Sequence, residues 1–417
     1  MTFLQNSQLK VIIKDEIIAG LTVFVTMAYI LILNPMILSQ AGIPLAFSFF
    51  ATCIATALAC FLLGVWAKFP LAIGPSMAIN SFFVTMIVDK FNGDWSSALG
   101  SVFLSGVLLC IAAIFHLPKK VSASLPDNIK FATVTGLALL IMSVSISSSR
   151  IFNPGFLNID NVNFFGFVFT IILYLIIKKY RVFGGSLLVI AVSSLVMDYI
   201  WPNHISDPYS INIAQIHNVL SFNNYFDSIA NALLLAFLII FDSTSTIFAL
   251  TENNSLSTSN DFATQRSKTL IITGLSTMVA SIFGCTNTGV YFESAAGIDA
   301  RATSGICPLI VAICFLFSLL LAPYLCYIPT SVPAGILFLL AVKIASTALK
   351  INYKDIKVLI PCAITVFIVG YFKAIADGIG AGLVLYLIFN YKTEQLTKEN
   401  MYLVVIMLVY WIAKFFY

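Results

Sequence analysis

The sequence predicts an all-α polytopic membrane protein, and three observations support this fold class. Hydrophobic residues make up 60% of the 417 residues and charged residues only 10%, whereas a soluble domain carries about 25% charged residues. The apolar runs are long and continuous, and a membrane-crossing helix needs about 20 such residues. Only helices or closed barrels satisfy their backbone in lipid, and continuous apolar runs exclude the barrel.

The apolar runs predict about fourteen transmembrane segments in windows of about 19 residues. The first run ends at Asn34-Pro35 without a small-residue cleavage site, so we expect a first span and not a signal peptide. The final stretch, 400–417, is either a further span or a segment lying on the membrane lipid. The predicted spans are 16–34, 46–66, 69–89, 97–116, 130–149, 163–179, 183–201, 228–250, 268–284, 286–299, 303–325, 330–349, 355–372 and 374–391.

The distribution of Lys and Arg predicts a multi-pass protein of the inner (plasma) membrane with a cytoplasmic N-terminus, because cytoplasmic loops are rich in these residues. The predicted topology places 18 of the 22 Lys and Arg on the cytoplasmic side. Lys90, Arg150 and Lys373 fall on the external side, and Lys414 lies in the last segment. The long connection 202–227 contains no Lys or Arg, as expected of an external loop. The net charge of +4 is spread along the chain, so no nucleic acid partner is expected.

Fourteen spans with a long break after the seventh predict two halves of seven, related as inverted repeats. Spans 3 and 10 then correspond, and both are interrupted. Span 3 begins Phe69-Pro-Leu-Ala-Ile-Gly-Pro-Ser-Met, and span 10 contains Gly284-Cys-Thr-Asn-Thr-Gly-Val-Tyr. Interrupted segments at corresponding positions indicate a transport site.

Asp242 is the first candidate site residue, because it lies in the middle of predicted span 8 among apolar residues. A charge at the centre of a bilayer costs about 2.5–3.5 kcal/mol on insertion scales, so such a residue usually faces a cavity. The alternative is a helix-packing hydrogen bond to Ser243, Ser245 or a hydroxyl of another span. Thr246, at i+4, shares the face of Asp242.

Glu293 is the second candidate, because it follows the small-residue stretch of predicted span 10. Its carboxylate is expected where an extended segment becomes a helix, beside unpaired backbone N–H groups. Such donors together with a carboxylate can bind a flat heterocycle that has both N–H and carbonyl groups. The alternative is an ion pair between Glu293 and Arg301.

Two carboxylates without an intramembrane Lys or Arg predict a neutral or cationic solute. In a medium of low dielectric, carboxylates hold protons more tightly, so either Asp242 or Glu293 is expected to carry a coupled proton. Neither a metal nor another cofactor is expected, since the eight cysteines lack metal-ligand spacing. The motifs of zinc proteases, serine hydrolases and P-loop enzymes do not occur, so an enzyme is not predicted.

Four motifs resemble the AzgA-type purine permeases, a branch of the nucleobase:cation symporter-2 (xanthine/uracil permease) family. The stretch from Glu16 to Asn34-Pro35 is similar to the first span of that branch. Gly74-Pro-Ser-Met-Ala-Ile-Asn and Phe241-Asp-Ser-Thr-Ser-Thr resemble its motifs in spans 3 and 8. Tyr291-Phe-Glu-Ser-Ala-Ala-Gly is the most specific match.

The resemblance implies short extended segments in spans 3 and 10 with a purine nucleobase bound between them. It implies substrate contacts from Asp242, Glu293, Ser76 and Met77, with Asn80 and Thr246 as further members. Proton symport and a homodimer are also implied. The implied domains are a core of 1–116 and 228–326, a gate of 117–227 and 327–399, and a C-terminal apolar segment, 400–417.

The first hypothesis is therefore proton-coupled uptake of adenine, guanine or hypoxanthine by movement of the core against the gate. Which purine is bound stays open, because Ser76, Ala78 and Thr288-Gly-Val depart from the family pattern in the expected pocket. Coupling to sodium also stays open. The alternatives are a sulfate or bicarbonate carrier of the related fold, disfavoured by the carboxylates, and a membrane-embedded enzyme or sensor.

Overall fold

The computed structural model describes residues 2–88, 91–115, 126–149, 152–153, 156–157, 162–180, 185–201, 220–221, 225–251, 261–372 and 375–390. The C-terminal segment 400–417 and most of the connection 202–227 lie outside the described residues. The described part is mostly α-helical, with four short strands. The predicted class, a helical multi-pass membrane protein, is confirmed; the count of fourteen spans and the inverted repeat stay predictions.

The elements of the first half of the chain include two interrupted helices. Helices α3 and α4 each continue into a π-helical turn, at Leu63–Ala67 and Phe83–Ile87. The elements in order are α1 (Thr2–Met27), α2 (Ile30–Ser39), α3 (Leu45–Leu62), β1 (Ile73–Pro75), α4 (Met77–Phe82), α5 (Trp95–Ile114), α6 (Asp127–Ser148), β2 (Phe152–Asn153), β3 (Phe156–Leu157), α7 (Val162–Lys179) and α8 (Gly185–Ile200).

The second half repeats the sequence of long helix, short strand and short helix. Two of its helices continue as 3-10 helices, at Ser318–Tyr327 and Ser346–Lys350. The elements in order are α9 (Tyr225–Thr251), α10 (Phe262–Ile282), β4 (Thr288–Val290), α11 (Ser294–Asp299), α12 (Ile306–Phe317), α13 (Ser331–Ala345), α14 (Ile356–Tyr371) and α15 (Ile375–Phe389).

Within the described residues, six helical stretches are long and apolar enough to cross a membrane. Shorter apolar helices, such as α8, α14 and most of α15, accompany them. A membrane span of about 30 Å requires about 20 helical residues. The six stretches are Ile13–Ser39, Leu45–Ala67, Trp95–Ile114, Val162–Lys179, Asp227–Thr244 and Ser331–Lys350.

The chain forms two compact units, and the larger comprises Met1–His116 and Ser148–Ile336. In this unit α5 packs against α9 and α10, and α1 packs against α11 and α12. The close approach of α5 and α10 depends on glycine: a methyl group added at Gly106 would lie 2.7 Å from the Gly274 carbonyl oxygen. Small residues at helix contacts are the usual means of tight packing in membranes.

The smaller unit comprises Leu117–Ser147 and Leu337–Tyr417. Helices α14 and α15 pack against each other, and a methyl group added at Gly378 would lie 2.5 Å from Val369 Cγ2. The main-chain N–H of Asn352 donates to Asn128 Oδ1 at 3.0 Å, which ties the start of α6 to the turn before α14. Glycine contacts and a few polar links therefore hold this unit together.

A glycine turn leads the chain from α10 into β4. Gly284 has φ of +81°, a conformation that favours glycine. The N–H of Cys285 donates to the Ala280 carbonyl at 2.8 Å and that of Gly284 to the Ser281 carbonyl at 3.2 Å. These two bonds form a Schellman motif, which ends the helix sharply. The turn ends α10 and begins the extended segment that follows.

Candidate functional site

Two three-residue strands from distant parts of the sequence form the framework of the candidate site. Strands β1 and β4 pair antiparallel, with Gly74 opposite Gly289. Two further bonds lengthen the ladder: Ser76 N–H donates to the Asn287 carbonyl at 2.9 Å, and Tyr291 N–H to the Ala72 carbonyl at 3.0 Å. Because each strand satisfies the other's backbone groups, extended chain is tolerated inside the membrane. Extended segments in predicted spans 3 and 10 are therefore confirmed.

Buried hydroxyl groups of α10 hold β4 in place. Thr288 Oγ1 lies 2.6 Å from Ser276 Oγ and 3.0 Å from Thr277 Oγ1, and it donates to the Thr273 carbonyl at 3.0 Å. Asn287 Nδ2 donates to Ser105 Oγ of α5 at 2.7 Å. Buried hydrogen-bond networks of this kind rigidify the backbone that they contact. They explain why a three-residue strand can serve as a fixed part of a site.

Asp242, in the middle of α9, lies beside the ends of both strands. The Ser76 hydroxyl donates to Asp242 Oδ2 at 3.2 Å. A methyl group added at Gly289 would lie 3.1 Å from the same carboxylate oxygen. Glycine in β4 therefore leaves the space that this carboxylate occupies. The hydrogen-bond partner of Asp242 is therefore a hydroxyl group of another segment, as in the alternative explanation for this residue.

Glu293 lies at the other end of the strand pair, three residues after β4, and its side chain is partly exposed. The Tyr29 hydroxyl, from the turn between α1 and α2, donates to Glu293 Oε1 at 2.8 Å. Tyr291 donates its hydroxyl proton to the Pro75 carbonyl and lies within electrostatic range of both Glu293 and Asp242. One buried phenol ring therefore lies near both carboxylates.

The backbone donors expected beside Glu293 are occupied. Ser294 N–H donates to the Tyr291 carbonyl at 3.2 Å, and Ala295 N–H to the Phe292 carbonyl at 3.0 Å. The expectation of unpaired donors is therefore wrong for these two residues, because the chain turns tightly between β4 and α11. In α4 the first intrahelical bond runs from Asn80 N–H to the Ser76 carbonyl, so the N–H groups of Met77 and Ala78 precede it.

Three of the predicted residues contribute in different ways. Asn80 is fully buried, and its amide donates to Asn34 Oδ1 and accepts from the Thr286 hydroxyl. Asn80 therefore joins α2, α4 and the segment before β4. Met77 opens α4 directly after Ser76, and Thr246 is buried one turn beyond Asp242 on α9.

Sequence reasoning did not single out Tyr29 and Gly289. A tyrosine within an apolar run was the available signal for Tyr29, because a buried phenol generally needs a hydrogen-bond partner. Gly289 lies within the small-residue stretch before Glu293. Its function, to leave space for the Asp242 carboxylate, follows only from the packing of β4 on α9.

The arrangement is suited to a small polar molecule without a negative charge. Two carboxylates supply acceptors, and hydroxyl and main-chain N–H groups supply donors close by. Among the described residues, no three His, Cys, Asp or Glu side chains are grouped to hold a metal ion.

The model of the permease family (Xan_ur_permease) matches residues 14–381. The adenine permease AdeP of Escherichia coli is 25% identical over 95% of this chain and 92% of its own. The guanine/hypoxanthine permease PbuO of Bacillus subtilis is 26% identical over 97% of each chain. The solved transmembrane domain of the cyanobacterial bicarbonate transporter BicA superposes with a TM-score of 0.68 at 16% identity, over 89% of this chain and 97% of its own.

Proposed function

Because the chain belongs to the permease family, we propose that it is a secondary transporter that carries a purine nucleobase, adenine, guanine or hypoxanthine, into the cytoplasm. Its relatives support this substrate class, since they are named for adenine and for guanine/hypoxanthine. The observation that carries the proposal is the placement of two carboxylates at one strand pair. Asp242 is bonded to Ser76 directly after β1, and Glu293 follows β4.

The chemistry of a purine base matches the groups collected there. A purine presents N–H donors on its ring or amino group and acceptors on its ring nitrogens or carbonyl oxygen. In our proposal Asp242 and Glu293 accept hydrogen bonds from the N–H groups of the purine. The main-chain N–H groups of Met77 and Ala78 donate to the acceptor atoms of the purine. Asn80 holds α4 at the correct distance from β4.

One of the two carboxylates carries the coupled proton in this proposal. Carboxylates in low dielectric hold protons more tightly than in water, and intramembrane Asp and Glu residues commonly serve as proton relays. The solute would then move with a proton across the inner membrane, the N-terminus being cytoplasmic. The core and gate domains would move against each other, and a homodimer would form, as the family resemblance implies.

A sulfate or bicarbonate carrier is the less favoured candidate. Likeness to the bicarbonate transporter rests on 16% identity and concerns the fold alone, whereas function depends on the site. Two carboxylates at the strand pair would repel an anion.

Uptake of labelled hypoxanthine in a purine-transport-deficient host tests the proposal. Unlabelled adenine, guanine, xanthine and uracil serve as competitors, and a protonophore tests the coupling. We expect saturable uptake that purines inhibit and that the protonophore abolishes. A membrane-inserted protein that takes up no nucleobase would refute the proposed substrate class.

Replacing Asp242 by Asn tests its part in coupling. We expect Asp242→Asn to abolish accumulation against a gradient, because the amide cannot release and rebind a proton. The matched control is Asp227→Asn in the first turn of the same helix. The measurement is the ratio of internal to external nucleobase at steady state. If Asp242→Asn accumulates substrate as well as the wild type, the proton is carried elsewhere.

A further inference from the structure

A buried carboxylate in the middle of α1, near the start of the apolar stretch Ile13–Ser39, lies outside the proposed substrate site. Glu16 is 1% exposed, although a carboxylate at the end of a membrane span is usually solvated. An unpaired buried charge is very costly, so a buried Glu must find strong partners. The identity of those partners indicates what Glu16 does.

The partners of Glu16 belong to the connection between α11 and α12. Its Oε1 accepts from the main-chain N–H groups of Thr303 at 2.7 Å and Ser304 at 2.8 Å, and from the Thr303 hydroxyl at 3.2 Å. Its Oε2 accepts from the N–H of Cys307 at 3.1 Å. Four donors around one carboxylate form a charge-assisted set, stronger than neutral hydrogen bonds.

These contacts add to a local cap of α12, in which the Ile306 N–H donates to Ser304 Oγ at 3.2 Å. The residue before α12 is Gly305, which has no side chain to cap the helix. Cys307 is the second residue of α12, and its N–H has no intrahelical partner. A negative charge is also favourable at a helix N-terminus. Glu16 therefore caps α12 from another helix.

The same face of α1 contacts α11 and α12 along its length. A methyl group added at Gly297 of α11 would lie 2.5 Å from Val23 Cγ2. One added at Gly20 would lie 2.6 Å from Ile310 Cβ of α12. At the far end of α1, Tyr29 donates to Glu293. The second half of α1, from Glu16 onward, and the turn that follows it are therefore bound to α11 and its flanking segments.

Helix α11 needs such support because it has only six residues. Isolated helices of this length are unstable in water, and packing must supply their stability. The segment after it contains Arg301 at φ of +71° and closes with the Ala302 N–H bonded to the Gly297 carbonyl at 2.9 Å. Displacement of this turn would shift α11 and Glu293 with it.

We propose that Glu16 is a positioning residue for transport: its carboxylate fixes the end of α11 and the start of α12, and so sets the position of Glu293 in the substrate site. The proposal rests on the proposed function for its effect on transport. Its structural part, the anchoring of residues 300–307, stands independently of any substrate.

Two variants of Glu16 give a graded test. Glu16→Gln keeps Oε1 as an acceptor for Thr303 and Ser304 but presents an amide NH₂ to the Cys307 N–H. Glu16→Ala removes all four bonds. We expect the KM for nucleobase uptake to rise about tenfold in Glu16→Ala and by a smaller factor in Glu16→Gln. The control is Asp15→Asn, which changes the neighbouring, partly exposed carboxylate.

Hydrogen exchange of the purified proteins separates positioning from loss of fold. Faster exchange in Glu16→Ala should be confined to residues 294–307, with α5, α9 and α10 as protected as in the wild type. Unchanged exchange at 300–307, exchange raised throughout the larger unit, or a wild-type KM in Glu16→Ala would each overturn the proposal. If the wild type transports no nucleobase, the proposed function fails, and the exchange result alone decides whether Glu16 anchors this segment.

Discussion

The two strand-to-helix segments of the site, residues 72–82 and 286–299, have the same plan but different supports. Each contains a three-residue strand followed by a six-residue helix. The first contains no carboxylate and receives one from α9, through the bond from Ser76 to Asp242. The second carries the site carboxylate Glu293 itself and is held by Tyr29 from the turn between α1 and α2.

Their rigidity also has different origins. After β1, α4 continues as a π-helical turn and is fixed by the buried amide contact between Asn80 and Asn34. After β4, α11 ends at the exposed residue Asp299 and depends on α1. The first segment is therefore fixed from within the core, and the second by contacts at its two ends.

The difference indicates a division of labour between the two carboxylates. Asp242 belongs to a 27-residue helix and moves only with that helix. Glu293 precedes a short helix whose position depends on its tethers. Changes at Glu293 and its supports should therefore affect substrate affinity first, whereas a change at Asp242 should affect coupling first.

The largest effect on affinity is expected from Glu293→Gln. The change keeps the size of the side chain but removes the charge and one acceptor oxygen. A hydrogen bond to a charged group contributes about 1.5–3 kcal/mol, so KM should rise about thirtyfold. Competition uptake against labelled hypoxanthine measures this.

The matched control for this prediction is Asp299→Asn at the exposed end of the same helix. It removes a carboxylate from the other end of the segment, at the last residue of α11, but should leave KM unchanged. Equal effects of the two substitutions would remove Glu293 from the proposed substrate site.

An intermediate effect is expected from Gly289→Ala, and its strand partner Gly74→Ala is the comparison. The new methyl group at 289 would lie 3.1 Å from Asp242 Oδ2 and would press against the carboxylate. At 74 its three nearest neighbours would be side-chain atoms of Ile30, Tyr291 and Met27, at 3.2–3.3 Å. Overpacking costs about 1–3 kcal/mol, so KM should rise about tenfold for Gly289→Ala.

Gly74→Ala should have a smaller effect, because the ends of flexible side chains can move aside. Uptake kinetics at matched amounts of inserted protein check both variants. A larger rise in KM for Gly74→Ala than for Gly289→Ala would contradict this prediction. It would mean that packing of the strand pair, and not contact with Asp242, determines the effect of an added methyl group.

Much of the fold and both carboxylates could be predicted from local features of the sequence. Long apolar runs indicated the helical membrane class. The cost of a charge in the bilayer singled out Asp242, and Glu293 was singled out by the small-residue stretch before it. Glycine, proline and β-branched residues indicated the extended segments that became β1 and β4. Each of these signals lies within one stretch of about 20 residues.

The contacts that support the site could not be predicted in the same way. Tyr29 and Glu293 are 264 residues apart, and Glu16 and Thr303 are 287 apart. Such pairs exist only because helices pack, and packing leaves no local pattern in a single sequence. The prediction of unpaired N–H donors beside Glu293 was wrong for a related reason. The tight turn after β4 pairs the N–H of Ser294 with the Tyr291 carbonyl.

The smallest effect is expected from Tyr29→Phe, which tests the tether between the turn after α1 and Glu293. The change removes only the hydroxyl that donates to Glu293 Oε1. Glu293 is partly exposed, so water can replace part of the lost bond, and a loss of about 1 kcal/mol corresponds to about a fivefold rise in KM. Tyr353→Phe, which removes an exposed hydroxyl bonded to the Ala348 carbonyl, is the control and should leave KM unchanged. Because the tether acts through Glu293, Tyr29→Phe should add little in a Glu293→Ala background, which has no acceptor for the phenol, measured as a double-mutant cycle of KM. Additive effects in that cycle would mean that Tyr29 acts on the substrate directly or on the fold, and that the second segment is not held through its carboxylate.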